Sequence, residues 1–268
     1  MSGGAFLLLD HVAKRYGGVV AIQDVTLNVP QGEIRGVIGP NGAGKTSLFN
    51  CITSFSRPTS GVIWFNGERI DGLAPNVIAA RGVARTYQNV RLFQEMTALE
   101  NVLVGQHRRL GASIFGAIMR TPSFKAEEAA AADTAMEILT FVGIADRAGV
   151  TARNLSYGDQ RRLEIARSLA VSPKLLLLDE PAAGMNPSEA SALVRLVKNI
   201  RAELGVTIIL IEHHMHVVMS SCDVVTVLDR GTVIATGEPA EIQKNETVIE
   251  AYLGQRRKPA TAAPGAAP

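Results

Sequence analysis

Two cysteines in 268 residues, Cys51 and Cys222, leave this sequence without a disulfide framework or a thiolate metal cluster. They lie far apart in the chain, each in an apolar neighbourhood, and read as buried reduced thiols. Long apolar runs are missing as well. No stretch approaches the roughly 20 residues that a membrane-spanning helix needs. The longest, LGASIFGAIM from Leu110 to Met119, is about half that and sits between Arg109 and Arg120. An excess of one charge is also absent. Lys plus Arg number 27 against 25 Asp plus Glu, and the net charge of +2 gives no electrostatic footprint for nucleic acid as the main partner. The N-terminal stretch MSGGAFLLLDHVAKRY puts no basic group ahead of its short apolar run, unlike a secretory leader. These absences predict a soluble, cytoplasmic chain. Hydrophobic residues at 47% and charged residues at 19% are globular composition. The tail from Gln255 has too few large apolar residues to pack and is expected to be disordered.

What is present is a glycine-rich stretch, GPNGAGKT from Gly39 to Thr46, that fits G-x-x-x-x-G-K-[ST]. Gly39, Pro40, Asn41, Gly42, Ala43 and Gly44 form a loop whose backbone N–H groups can turn inward onto phosphate oxygens. Lys45 adds a positive charge for the terminal phosphates, Thr46 a hydroxyl for Mg²⁺, and Ser47 continues the helix start. EIRGVIG before it suits a buried strand, and TSLFNCITSF after it reads as a helix whose positive N-terminus faces the anion. The strand, loop and helix together predict a nucleotide-binding P-loop.

From Phe6 to Pro30 two strands are expected, turned at Gly17 and Gly18. GVIWFNGERI, with a tight turn at Asn66 and Gly67, and the stretch around GVARTYQ predict further strands, all in an antiparallel sheet beside the P-loop core. Thr97 and Glu100 have the spacing of a capping box and open a helical region. A helix is expected from about Ala126 to Val142, and another from Ser156 to Pro173. KLLLLDEP and VTIILIEH read as buried parallel strands. Asn186 and Pro187 cap and start a helix to about Leu204, a short helix begins near Met215, and DVVTVLDRGTVIATG is a hairpin turned at Gly231. The fold class is α/β: a P-loop NTPase core with a mostly parallel sheet, an antiparallel β subdomain, and a helical subdomain over about 96–168 within a single domain of residues 6–254.

Asp179 and Glu180 end the strand LLLLD, where ligands of an open α/β sheet bind. The first can hold Mg²⁺ with Thr46, and the second can orient or deprotonate a water aimed at a γ-phosphate.

The segment LSYGDQ, Leu155 to Gln160, resembles the LSGGQ signature of ATP-binding cassette proteins and stands shortly before the Asp179–Glu180 strand as in that family. Tyr157 replaces the usual first Gly, and Asp159 the usual Gln. The resemblance implies that Ser156, Gly158 and Gln160 bind the γ-phosphate held by the P-loop of a second ATP-binding subunit, homologous or identical. It also implies that Tyr16 stacks on adenine, that Gln88 touches Mg²⁺ or the attacking water, and that His213 hydrogen-bonds the γ-phosphate, with His214 and His216 as rivals. The loop Ala183, Gly184, Met185 and Asn186 corresponds to the family's cross-dimer loop. Further likeness, in ARTYQNVRLFQEMTALENVLVGQH, in the insert from Arg108 to Lys125 and in VIEAYLG, extends to the larger ATP-binding subunit of branched-chain amino-acid importers. The implied cofactors are ATP and Mg²⁺. The implied partners are membrane permease subunits and, indirectly, an extracytoplasmic substrate-binding protein, with the chain peripheral on the inner face of the membrane. Relatives of similar sequence serve urea, short amides, aromatic acids and lipopolysaccharide. A soluble cassette ATPase acting on nucleic acid would be expected to carry a long coiled coil, zinc modules or two cassettes, and the sequence has none of them. A small-molecule kinase would leave the signature and His213 unexplained.

Overall fold

The computed structural model describes residues 5–88, 90–106 and 122–253, with side chains from 126 onward in the last segment. The apolar stretch Leu110 to Met119 and the tail from Gln255 lie outside the described residues.

Three strands with every residue buried form the centre: β3 (Ile34–Ile38), β7 (Leu175–Asp179) and β8 (Thr207–Ile211). Strands that are apolar on both faces belong between two layers. Successive side chains point to opposite faces, so Ile34, Leu176, Leu178, Ile208 and Leu210 enter one core while Val37, Leu175, Leu177, Ile209 and Ile211 enter another. β3 pairs in parallel with β8 and with β9 (Val224–Asp229), and β7 pairs in parallel with β8. β10 (Thr232–Gly237) returns antiparallel to β9.

The N-terminal strands β1 (Leu7–Tyr16), β2 (Val19–Val29), β4 (Ser60–Phe65) and β5 (Glu68–Arg69) form the expected antiparallel part, turned at Gly17 and at Asn66–Gly67. A parallel register between Thr232 and Asp24 joins it to the core, giving the order β5-β4-β1-β2-β10-β9-β3-β8-β7-β6.

One expectation is corrected. The strand in GVARTYQ, β6 (Val83–Arg85), does not join the antiparallel part but runs parallel to β7 at the far edge of the core. Val83 and Ala84 are buried there beside Leu175 and Leu176. The short helix α2 (Pro75–Ala80) helps carry the chain from β5 to β6, strands at opposite ends of the sheet order. An Arg81–Glu68 ion pair at 2.5 Å ties the residue after α2 to β5.

The P-loop helix α1 (Lys45–Ile52) packs Leu48, Phe49, Cys51 and Ile52 into the second core. On the other side lie α3 (Ala98–Gln106), α4 (Pro122–Phe141) and α5 (Tyr157–Leu169). The capping box at α3 is made: Thr97 and Glu100 exchange backbone N–H bonds at 2.7 and 3.2 Å. A Cβ on Gly105 would stand 2.7 Å from the Arg167 carbonyl, so glycine is what lets α3 and α5 touch. Helices α6 (Pro187–Leu204) and α7 (Met215–Ser221) complete this layer, with α8 (Pro239–Ile242) and α9 (Glu246–Leu253) after the last hairpin. Both thiols are free and buried, and burial pushes Cys51 up to about 11 and Cys222 to about 12.

Candidate nucleotide and catalytic site

The P-loop is shaped by close backbone approaches. Gly39 (φ 150°) and Gly44 (φ 105°) would drive a Cβ to 2.0 Å from the Leu228 carbonyl and 2.5 Å from the Ala21 carbonyl. No other residue fits either position. Gly44 caps α1 with no side-chain bond to its first turn and no acidic residue there, so the helix N-terminus keeps its positive end open to an anion. Lys45 folds back over the loop, donating from Nζ to the carbonyls of Gly39 at 2.7 Å and Pro40 at 3.0 Å. Burial lowers its pKa, while the charges of Glu180 and Asp179 act in the opposite direction.

Asp179 and Glu180 leave the end of β7 in different environments. Asp179 is buried and accepts from Arg85 Nη2 at 2.8 Å. Burial pushes its carboxyl up, with Arg85 opposing. Arg85 also donates to Asn50 Oδ1 at 2.7 Å, so it links the P-loop helix, β6 and the end of β7. Glu180 stands at φ 48°, with its N–H on the Ile211 carbonyl at 2.8 Å. Its Oε2 accepts from Gln88 Nε2 at 3.1 Å and lies 3.7 Å from His213 Nδ1. Two residues far apart in sequence, Gln88 and His213, thus converge on one oxygen of Glu180. Of the rival histidines, His214 is the residue before α7 and His216 lies within it, whereas His213 is the one that reaches Glu180.

The signature residues make their own bonds at the start of α5. Ser156 caps the helix by accepting from the Asp159 N–H at 3.2 Å, and Gln160 Nε2 donates to the Leu155 carbonyl at 3.1 Å. Gly158 is packed tightly enough that a Cβ would meet Glu189 Oε1 at 3.0 Å. None of these bonds reaches the P-loop of the same chain. Tyr16, at the end of β1, is half-exposed with the Lys14 ammonium 4.7 Å from its ring centroid.

Sequence reasoning missed Arg85, Glu212, Arg161 and Glu164. Glu212 is buried and receives N–H groups from Ala182 at 2.7 Å, His213 at 2.9 Å and His214 at 3.0 Å. Arg161 and Glu164 are buried on α5, and burial pushes Glu164 up against the pull of Tyr87 N–H and Arg161. For Arg85 and Glu212 the available signal was a charged residue at the end of an apolar run, as in VAR and IILIE.

Hard oxygen donors suit Mg²⁺: the Thr46 hydroxyl, the Asp179 carboxylate and the Gln88 amide oxygen. Among the described residues no group of three or more His, Cys, Asp or Glu could by itself hold a metal. That donor set fits a cation shared with phosphates and water rather than one caged by protein.

A family model described as "ABC transporter" matches residues 22–183, and one described as "Branched-chain amino acid ATP-binding cassette transporter" matches 232–257. The high-affinity branched-chain amino acid transport ATP-binding protein BraF of Pseudomonas aeruginosa is 48% identical over 249 residues, covering 93% of this chain and 98% of that protein. The corresponding protein LivG of Escherichia coli K12 is 46% identical over the same shares. A solved ATP-binding cassette of an ABC transporter in its ADP conformation superposes with a TM-score of 0.80 at 30% identity, covering 93% of this chain and 99% of that one.

Proposed function

Because the chain belongs to the ATP-binding cassette family of transporter ATPases, we propose that it powers a membrane permease importing branched-chain or related amino acids. The observation that carries the catalytic part is the convergence of Gln88 and His213 on Glu180 beside the P-loop lysine. The observation that favours the substrate class is the likeness to BraF and LivG along nearly the whole chain, with the separate match over 232–257.

In this reading the loop Gly39, Pro40, Asn41, Gly42, Ala43 and Gly44, with Ser47, wraps the phosphates with its backbone N–H groups, Pro40 having none to give, and Tyr16 stacks on adenine. Lys45 exchanges its two carbonyl acceptors for phosphate oxygens, a stronger charge-assisted contact. Thr46, Asp179 and Gln88 would hold Mg²⁺, which would neutralise charge on the phosphates. Glu180 takes the proton of the attacking water while Gln88 and His213 hold the carboxylate, and His213 also reaches the γ-phosphate. Ser156, Gly158 and Gln160 contact the nucleotide of a second ATP-binding subunit. Catalysis is then mainly positioning and charge stabilisation.

No helix of the described residues is long and apolar enough to cross a membrane; in this reading separate permease subunits supply the translocation path. Exposed Phe55, whose ring stands edge-on to Tyr87, and exposed Phe93 and Met96, a few residues beyond Gln88, would offer the permease an apolar contact. Solute would reach the permease from an extracytoplasmic binding protein. The helical segment from about Met96 to Ser168 is proposed to act as one subdomain of a single domain over 6–254.

Replacing Glu180→Gln in the assembled transporter tests the base. ATP binding is expected to persist while turnover falls by about 10²–10⁴, the range for a general base. Wild-type turnover in that variant would sink the assignment. Proteoliposomes loaded with ATP should accumulate labelled leucine, isoleucine or valine; uptake of urea or a short amide in their place would overturn the substrate class.

A further inference from the structure

Arg161 lies on α5 within two turns of the signature, and its guanidinium is buried. Nε and Nη2 donate to the Tyr157 hydroxyl at 3.1 and 2.8 Å. Nη1 donates to the Tyr87 carbonyl at 2.8 Å and to Glu164 Oε2 at 3.2 Å, and Nη2 also donates to the Gln88 carbonyl. All five N–H groups of the fork are thereby engaged. Glu164 closes the grip from the other side, with Oε1 receiving the backbone N–H groups of Tyr87 at 3.2 Å and Arg91 at 3.4 Å. A buried ion pair on one helix thus holds the main chain on both sides of Gln88.

The contacts continue at each end. Gln88 Nε2 donates to Glu180 Oε2. The Tyr157 ring rests on Gly184, where a Cβ would stand 3.2 Å from Cε1. Gly184 follows Glu180 in the same loop between β7 and α6. The circuit is closed: Glu180 to Gln88, through Arg161 to Tyr157, to Gly184 and back along the chain to Glu180. Tyr157, which stands where the related signature has glycine, supplies both the ring and the acceptor that this circuit needs.

We propose that Arg161, clamped between Tyr157 and Glu164, is a positioning residue for hydrolysis. It fixes the backbone at Gln88 so that the amide stays on Glu180, and it ties the signature helix to the base of the same subunit. A shift of the signature on meeting the partner's nucleotide is then transmitted to Glu180 through a rigid link. This rests on the reading of Glu180 as the base and of the signature as a phosphate contact.

The discriminating variant is Tyr157→Phe, which keeps the ring on Gly184 and removes only the acceptor for two guanidinium N–H groups. In the complete transporter, kcat is expected to fall about tenfold, the scale of a lost hydrogen bond to a charged group. KM and ATP affinity stay within about twofold, because the P-loop is untouched. A purely structural tyrosine would move neither kcat alone nor its coupling to Gln88, so the Gln88→Ala and Tyr157→Phe/Gln88→Ala variants are measured beside it. If Tyr157 acts through Gln88, the double variant is no slower than Gln88→Ala; multiplied losses would overturn the proposal. Arg161→Lys, which keeps the charge without the fork, should reproduce the fall in kcat. Unchanged kcat in Tyr157→Phe or in Arg161→Lys would overturn it too. Glu180→Gln separates the two failures: if it is inactive while Tyr157→Phe is unaffected, only the positioning role is lost, whereas an active Glu180→Gln removes the reading beneath it.

Discussion

A buried carboxylate with three backbone N–H groups on its two oxygens acts as a scaffold, and Glu212 has that arrangement. It joins the loop after β7, through Ala182, to the loop after β8, through His213 and His214. Both loops supply the site. Glu212→Gln keeps the size but points an NH₂ group at one set of donors, leaving buried N–H groups without an acceptor. The expected cost is about 1–3 kcal/mol of stability, together with a lower kcat as His213 drifts from Glu180. Thermal unfolding and ATPase assays of the variant check both, and unchanged values in both would show that the three N–H groups do not need the charge. Glu180 shows a second kind of residue-scale constraint. An L residue held at φ 48° costs on the order of 1–2 kcal/mol, and the hydrogen bond of its N–H to Ile211 helps hold that backbone in place.

Helix starts decide where these elements sit. Asn186 accepts from the Glu189 N–H at 3.0 Å, and Glu189 Oε2 accepts from the Asn186 N–H at 2.9 Å, a reciprocal cap on α6. Glu189 also lines the tight approach to Gly158, so the cap of α6 supports the signature helix. Asn186→Ala is expected to cost about 1 kcal/mol and about 2–4 °C in Tm for a chain of this size; differential scanning calorimetry measures it, and an unchanged Tm would mean that water replaces the cap. The cap at Thr97 was legible in sequence because it depends on two residues three apart, and that at Asn186 because Asn before Pro marks a helix start. LLLLD and TIILI were legible because a buried parallel strand is a short continuous apolar run. The partner of Val83 and Ala84 was not, since three residues carry no periodicity that separates a parallel edge from an antiparallel one. The six residues of α2 and the four of α8 are likewise too short for a repeat to show. Arg161 and Glu164 read as the polar face of an amphipathic helix. Their role depends on main-chain groups about seventy residues away, which no local pattern encodes.

At the scale of the whole molecule the two halves of the phosphate chemistry stand apart. Lys45, Asp179, Glu180, Gln88 and His213 gather at the P-loop end of the parallel sheet. Ser156 and Gln160 instead make their bonds at the start of α5. One chain therefore presents a phosphate cradle and, separately, a helix N-terminus suited to an anion, and two chains arranged head to tail would complete two sites. The net charge of +2 neither drives nor forbids such pairing strongly, so nucleotide between the faces has to supply much of the attraction. The isolated chain is accordingly expected to bind ATP when dilute, and more tightly as its concentration rises, because nucleotide that draws two copies together is itself held by both. Its hydrolysis per chain should be slow when dilute, and should rise on concentration or on addition of a related ATP-binding subunit. Titrating the chain over two decades of concentration at saturating ATP checks this. A full rate per chain at the lowest concentration would mean that a single copy completes its own site, and the separation of the signature from the P-loop would then need another explanation.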